Sequence, residues 1–185
     1  VIIGLKKNDE AFGFILTQAN VFILPNVYRA LKKLKEKNYL LIVITNQPAV
    51  ARGLISPEDI DKLHKFINSQ IGNLIDAFYF CPHHPEMHPD VPGHAKKYRI
   101  KCDCRKPSPG MIFQAAKKFG IDLNQSWMLG DMISDIATGK NAGCKTILIK
   151  SAANERIIVS NQSFDINTKP DEYADNLLDA VNFIE

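Results

Sequence analysis

Two short cysteine–histidine pairs carry the most legible chemistry in this 185-residue sequence. Cys81 and His83 form C-x-H, Cys102 and Cys104 form C-x-C, and 18 residues separate the pairs. Segment 79–111 holds three of the four cysteines and four of the five histidines, yet it is too polar and Pro-rich to form a core. Each pair can chelate locally while a shared cation closes the loop between them, which is how a tetrahedral zinc site is built. The opening "VIIGLKKNDE" runs from a short apolar start into charge, the wrong order for a signal peptide. The thiols therefore read as cytosolic, and metal is favoured over disulfide.

Three other clusters suit anions and hard cations. Thr45-Asn46-Gln47 offers a hydroxyl and side-chain amides beside backbone N–H groups, a cradle for phosphoryl oxygens or an ordinary Thr/Asn turn. "GDMISD", Gly130 to Asp135, brings two carboxylates, Asp131 and Asp135, to a tight turn. Such oxygens suit Mg²⁺, which binds few carboxylates and keeps waters and substrate phosphate, although Asp135 could equally be a helix cap. Arg105 and Lys106 precede a helix start, where charge and dipole favour an anion, or form a solvated basic loop. Together the three are the parts of a Mg²⁺-dependent phosphoryl-transfer site, whose chemistry is mostly positioning and charge neutralisation.

The elements that must position these groups alternate between helix and strand periodicity. "PNVYRALKKLKEKN" puts Val27, Leu31 and Leu34 on one helical face, between Pro25 and Asn38. "YLLIVIT" (39–45) is a β-branched run expected to be buried on both faces. Ser56-Pro57-Glu58-Asp59 is a capped helix start, with Ile60, Leu63, Phe66 and Ile67 inward. "DAFYF" (76–80) is a strand entering the metal loop, and a helix runs from Ser108-Pro109 to Gly120. "SWMLG" (126–130) is a strand, followed by a helix to Gly143, the strand "TILI" (146–149) and a final helix over 176–184. The alternation predicts an α/β fold, a Rossmann-like parallel sheet with helices on both faces and ligands at the carboxyl ends of its strands.

Composition is that of one globular domain, 45% hydrophobic and 23% charged, with no apolar run long enough to span a membrane. The net charge of +3 does not imply nucleic acid. It is unevenly spread: His94, Lys96, Lys97, Arg99, Lys101, Arg105 and Lys106 crowd one segment, which favours a local anionic ligand. Cys144, between a helix-ending Gly and a strand, reads as a small buried residue, Trp127 as core, and His64 as a structural residue of its helix. His84, His88, Asp90 and His94 are further possible ligands.

The set "VITNQPAVARG", "YFCPHHP", "CDCRKPSPGM" and "MLGDMISDI" resembles the haloacid-dehalogenase (HAD) phosphatases of the D-glycero-D-manno-heptose 1,7-bisphosphate and histidinol-phosphate type. The resemblance spans nearly the whole chain in order. It implies a HAD-like domain over 1–185 with minimal cap and a zinc loop at 81–104. It assigns Thr45 to the phosphoryl group, Lys106 to charge neutralisation, and Asn46, Gln47, Arg52 and Arg105 to substrate recognition. Asp131 would hold Mg²⁺ with Asp135 behind it, and Cys81, His83, Cys102 and Cys104 would hold a structural Zn²⁺. The implied activity is hydrolysis of a sugar phosphate through an aspartyl phosphate, best a heptose 1,7-bisphosphate, with histidinol phosphate or another sugar phosphate as the alternative; with the composition above, the expectation is a cytoplasmic monomer without nucleic-acid or membrane partners.

The family's opening strand, ending in D-x-D-G with nucleophile and general acid, has no counterpart here. Val1-Ile2 resembles the residues that follow that motif, so the expected reading is a chain that begins just after it, lacking the central strand of its sheet. Two alternatives stand beside it: a degenerate first strand in a pseudoenzyme, and Asp9 as a displaced nucleophile. A zinc-stabilised domain without turnover, partnered with or fused to a sugar nucleotidyltransferase, is the competing function.

Overall fold

A computed structural model describes residues 1–5, 14–85, 93–151 and 169–184. The chain divides into two units, Ile2–Arg105 and Lys106–Glu185, the latter joined by Val1.

In the first unit, β1 (Ile3–Leu5) pairs antiparallel with β2 (Val21–Ile23). Helix α1 (Val27–Glu36) follows, burying Val27, Ala30, Leu31 and Leu34, the spacing of one helical face. Asn26 and Asn38, both with φ near +60°, bracket it, a left-handed conformation that Asn tolerates. Strand β3 (Ile42–Asn46) lies parallel to β4 (Ala77–Cys81), with Asn46 opposite Cys81. Between them run the short α2 (Pro48–Ala51) and α3 (Pro57–Gln70). The Ser56 hydroxyl oxygen accepts from Asp59 N–H at 3.1 Å, as the capped start predicts. Ile60, Leu63 and Ile67 are buried as expected, but Phe66 is half-buried and His64 takes the inward place.

Two sequence expectations need correction here. The strand begins at Ile42 rather than Tyr39, and all five of its residues are half-buried rather than buried on both faces. Among the described residues β3 pairs with β4 alone, so one edge stays unpaired. Asp76 is not a strand residue. Its carboxylate accepts from Leu41 N–H at 2.7 Å and from Lys35 Nζ at 2.9 Å, fixing where β3 and β4 start together.

In the second unit, α4 (Gly110–Phe119) ends at Gly120 as predicted. Strand β5 (Trp127–Gly130), helix α5 (Ile133–Ala142) and β6 (Lys145–Ile149) form a β–α–β unit, and β7 (Glu172–Ala174), which sequence periodicity does not show, extends the parallel sheet beyond β6. A Cβ at Gly139 would lie 2.6 Å from Met128 Cβ and 2.7 Å from Thr146 Cγ2, so glycine is what lets α5 sit down on β5 and β6. Thr146 is hooked as Leu41 is: its N–H and hydroxyl donate to Asp171 at 2.7 and 2.8 Å. The final helix is shorter than expected, with α6 (Leu177–Ala180) tightening into a 3-10 turn at Val181–Phe183. Trp127 is half-buried, not core, with Lys145 Nζ 5.0 Å from its ring, because its strand has a neighbour only at β6 among the described residues. Cys144 is buried, as expected. No described helix is long and apolar enough to cross a membrane.

Candidate active site and metal centre

The two ligand pairs meet. Strand β4 delivers Cys81 fully buried at its last residue, and His83 follows two residues on. Ligand atoms of Cys81, His83, Cys102 and Cys104 all lie within 4.8 Å of one another. The three Sγ atoms are 3.1, 3.4 and 3.5 Å apart, and His83 Nδ1 is 3.7 Å from Cys81 Sγ and 3.4 Å from Cys104 Sγ. Zinc with Zn–S bonds of about 2.3 Å sets its sulfurs about 3.8 Å apart, so the donors need little adjustment to enclose one ion. No disulfide joins them.

The electrostatics favour that use at His83 and Cys102 and oppose it at Cys81 and Cys104. Burial holds the His83 imidazole below its ordinary pKa, keeping it neutral and able to ligate. Burial pushes the Cys81 thiol far up, with the neighbouring Cys104 and Cys102 thiols adding to it. Burial likewise leaves Cys104 raised. At Cys102 burial also opposes the thiolate, but hydrogen bonds from Cys104, Cys81 and the backbone outweigh it and bring the thiol below its usual value. A divalent cation would reverse the unfavourable cases, because a coordinating thiol loses its proton outright. Arg105, adjoining the last ligand, donates from Nη1 to the His83 carbonyl oxygen at 3.1 Å, tying the two ends of the cluster together.

Thr45, Asn46 and Gln47 sit at the carboxyl end of β3, where Gln47 N–H donates to Cys81 O at 2.8 Å. The Gln47 side-chain amide donates to the Thr45 hydroxyl at 3.3 Å, and both residues remain half-buried. This end of the strand therefore shares a backbone bond with the first metal-ligand residue. Arg52 ends α2 with its guanidinium 5.0 Å from the Phe14 ring centroid, a cation–π contact rather than a bond to this turn.

Lys106, Asp131 and Asp135 belong to the other unit. Gly130 closes β5, and a Cβ there would fall 2.2–2.4 Å from the Asp135 side chain, so only glycine lets the carboxylate fold over the turn. Asp135 is buried; its Oδ2 accepts from Met132 N–H at 3.1 Å and its Oδ1 meets Lys106 Nζ at 2.6 Å. That ion pair is the polar contact of Oδ1, which has no further hydrogen bond among the described residues. Asn141 donates to Pro107 O at 3.1 Å, anchoring the segment after Lys106 to α5. Asp131 is half-buried and makes no hydrogen bond or ion pair among the described residues, leaving a carboxylate free for a hard cation such as Mg²⁺.

The sequence thus located every side chain of the cluster and of the β5 turn, but not the Lys106–Asp135 pair, whose partners stand 29 positions apart. The one signal was the Gly130 to Asp135 spacing. His84 contributes its backbone N–H to Tyr98 O at 3.0 Å and stands outside the cluster. Asp9, His88 and Asp90 lie outside the described residues, as does the His94 side chain.

A HAD-hydrolase-like family model matches residues 103–180. The D-glycero-beta-D-manno-heptose-1,7-bisphosphate 7-phosphatase of Haemophilus ducreyi is 37% identical over 144 residues, 75% of each chain. That of Rhodopseudomonas palustris is 36% identical over 142 residues, 75% of this chain and 74% of the relative. Among solved structures, the D,D-heptose 1,7-bisphosphate phosphatase of B. bronchiseptica, complexed with magnesium and phosphate, matches with a TM-score of 0.73 over 95% of this chain and 90% of that one. At 22% identity that last likeness speaks for the fold alone. The chain belongs to the HAD-like hydrolases, within the family of D-glycero-D-manno-heptose-1,7-bisphosphate 7-phosphatases.

Proposed function

We propose that this chain carries the phosphate-holding and metal-binding parts of a Mg²⁺-dependent phosphatase acting on D-glycero-D-manno-heptose 1,7-bisphosphate at the 7-phosphate. The observation that carries the reading is Lys106 held on Asp135 at 2.6 Å beside the free carboxylate of Asp131, in a chain whose relatives bear that activity in their names. Lys106 neutralises phosphoryl charge, and the Thr45 hydroxyl donates to a phosphoryl oxygen. Asn46, Gln47, Arg52 and Arg105 face the sugar. Asp131 would hold Mg²⁺, with Asp135 behind it keeping Lys106 in place. When bound, that ion would supply charge neutralisation at the phosphoryl group. Cys81, His83, Cys102 and Cys104 would hold a structural Zn²⁺, whose thiolate preference sets it apart from the hard-cation site.

These residues bind and neutralise, but none attacks phosphorus. The covalent step needs a carboxylate nucleophile and a second carboxyl to protonate the leaving alcohol, a pair the family supplies from D-x-D-G. The test extends the chain by a D-x-D-G strand and follows phosphate release from the bisphosphate by ³¹P NMR. Loss of the 7-phosphate only with Mg²⁺, abolished by changing the first added Asp to Asn, is expected. Turnover by the unextended chain, stopped by Asp9→Asn, would instead make Asp9 the nucleophile.

A further inference from the structure

Two sulfurs of the metal cluster are placed to react with each other as well as to ligate. Cys81 Sγ and Cys104 Sγ lie 3.1 Å apart, against 3.5 Å for Cys81–Cys102 and 3.4 Å for Cys102–Cys104. A disulfide holds its sulfurs about 2.05 Å apart, so the nearest pair has about 1 Å to close. Cys102 and Cys104 stand in one C-x-C pair, and a bond between them would leave the two halves of the cluster unjoined.

The backbone beside Cys104 is also tied to the backbone beside Cys81 by a contact that uses neither sulfur nor metal. Arg105 Nη1 donates to His83 O at 3.1 Å. Cys81 is itself fixed at the end of β4, where its carbonyl oxygen accepts from Gln47 N–H at 2.8 Å. Its side chain is fully buried, whereas Cys102 and Cys104 are half-buried and are the sulfurs a small oxidant meets first. Cys144 is buried in the other unit. One accessible thiol, one shielded thiol beside it and a backbone clasp between them are the parts of a reversible disulfide.

We infer that the cluster is a redox switch, in which hydrogen peroxide exchanges the zinc for a Cys81–Cys104 disulfide. The Cys104 thiolate attacks one peroxide oxygen, the O–O bond breaks and hydroxide leaves, giving a sulfenic acid. The Cys81 thiolate, 3.1 Å away, then attacks the Cys104 sulfur and expels a second hydroxide. Both hydroxides take up protons. In balance, two thiolates give up two electrons, one peroxide becomes two waters, and one S–S bond forms. A site left with only Cys102 and His83 no longer retains the ion. The new bond keeps the loop closed at its base, while His83 and Cys102 are released. A thiol reductant breaks the bond and lets zinc return. The inference rests on the zinc reading above and not on the phosphatase one.

The test treats the zinc-loaded full chain with a few equivalents of hydrogen peroxide. A chromogenic chelator reads released zinc, and peptide mass spectrometry after alkylation locates the disulfide. Bound zinc should fall from about one per chain to none as Cys81 and Cys104 become linked, with Cys102 and Cys144 still open to alkylation after denaturation. Dithiothreitol with added zinc should restore the starting state. Hydrogen exchange should quicken at His84 N–H, which bonds Tyr98 O, while Gln47 N–H stays protected on Cys81 O. The variants separate the two chemical steps: Cys81→Ser should stop at a Cys104 sulfenic acid trapped by dimedone, and Cys102→Ser should still form the Cys81–Cys104 bond. Circular dichroism checks their folding, and the wild-type mapping stands without them. A Cys102–Cys104 bond, sulfinic acid without any disulfide, or zinc retained under peroxide that oxidises free glutathione would each overturn the inference. A chain that holds no zinc before peroxide is added would remove the zinc reading, and the exchange with it. Metal analysis alone reveals that outcome, so the two failures are distinguishable.

Discussion

The two units hold their polar chemistry by opposite means. In Ile2–Arg105, four soft ligands from two chelating pairs come within 4.8 Å, in a loop with little apolar burial beyond Ala95 among its described residues. In Lys106–Glu185, the carboxylate turn is set by packing: Gly130 under Asp135, Gly139 against Met128 and Thr146, and a capped helix start. One arrangement is built to take an ion that could be removed, and the other rests on atoms that cannot be. The contrast predicts that the two units tolerate different insults.

The largest effect should come from taking the ion away. Cys102→Ser, or a strong chelator, should reduce bound zinc from about one per chain to none. Structural zinc contributes about 10 kcal/mol or more where a peptide has no other core. This unit has its own core, so a loss on the order of 3–5 kcal/mol is expected, a fall in Tm of about 10 °C or more. Hydrogen exchange should accelerate over 81–85 and 93–105 while 127–149 stays protected. Uniform loss of protection would mean that the cluster governs both units alike and that the contrast is false.

Next comes Gly130→Ala, which strikes the packed arrangement. The added methyl meets Asp135 Cβ at 2.2 Å, too near the backbone for a rotamer change to relieve, so the start of α5 must move. A destabilisation of about 3 kcal/mol is expected, with zinc content unchanged. A wild-type melting curve would show that the turn is more pliable than its geometry implies.

Lys106→Ala should cost nearly as much. The pair is largely withdrawn from solvent, at 12% and 6% side-chain exposure, and removing the lysine strands Asp135 Oδ1. Breaking a buried pair in this way costs about 3 kcal/mol. Lys106→Ala is therefore not a clean probe of phosphate binding, and its folding loss must be measured beside its ligand loss. Pairing it with Asp135→Asn should recover part of the stability. No recovery would mean that the two charges are not coupled.

What the sequence disclosed follows the same division. Chelating pairs are local, so Cys81, His83, Cys102 and Cys104 were legible from spacing alone. Capping at Ser56 and the stop at Gly120 were legible for the same reason. Contacts between distant positions were not. Asp76 on Leu41 and Asp171 on Thr146 are one device used twice, a carboxylate just before one strand catching a backbone N–H at the start of its parallel neighbour. Neither shows in periodicity, because each partner is an unremarked polar residue 25 or more positions away. The short β7 was missed because Glu172–Ala174 gives too few residues for a period. The half-buried state of β3 was misjudged because a β-branched run reports what a strand prefers, not which neighbours it has.

The smallest expected effect concerns a part of the first unit that contributes no ligand to the cluster. His64 is 6% exposed, stacks on Phe78 at 4.7 Å and 17°, and meets Phe80 edge-on at 5.8 Å. Its Nδ1 has no hydrogen-bond partner among the described residues. Burial draws its pKa down to about 4, opposed only by the Asp61 carboxylate one turn earlier. An unfolded histidine titrates near 6.5. Between those values the unfolded chain binds a proton that the folded chain refuses. The stability of the neutral, buried ring is thus fully present above about pH 6.5 and is lost as pH falls toward about 4. Between roughly pH 7 and pH 5 the loss should be about 2 kcal/mol. Phenylalanine keeps the stack and cannot titrate, so His64→Phe should flatten that part of the curve without altering zinc content. Urea unfolding at the two pH values, with and without the substitution, measures it. If wild type and variant lose stability in parallel, the acid sensitivity belongs to the metal ligands instead, and the first unit has no ion-independent core of the kind described.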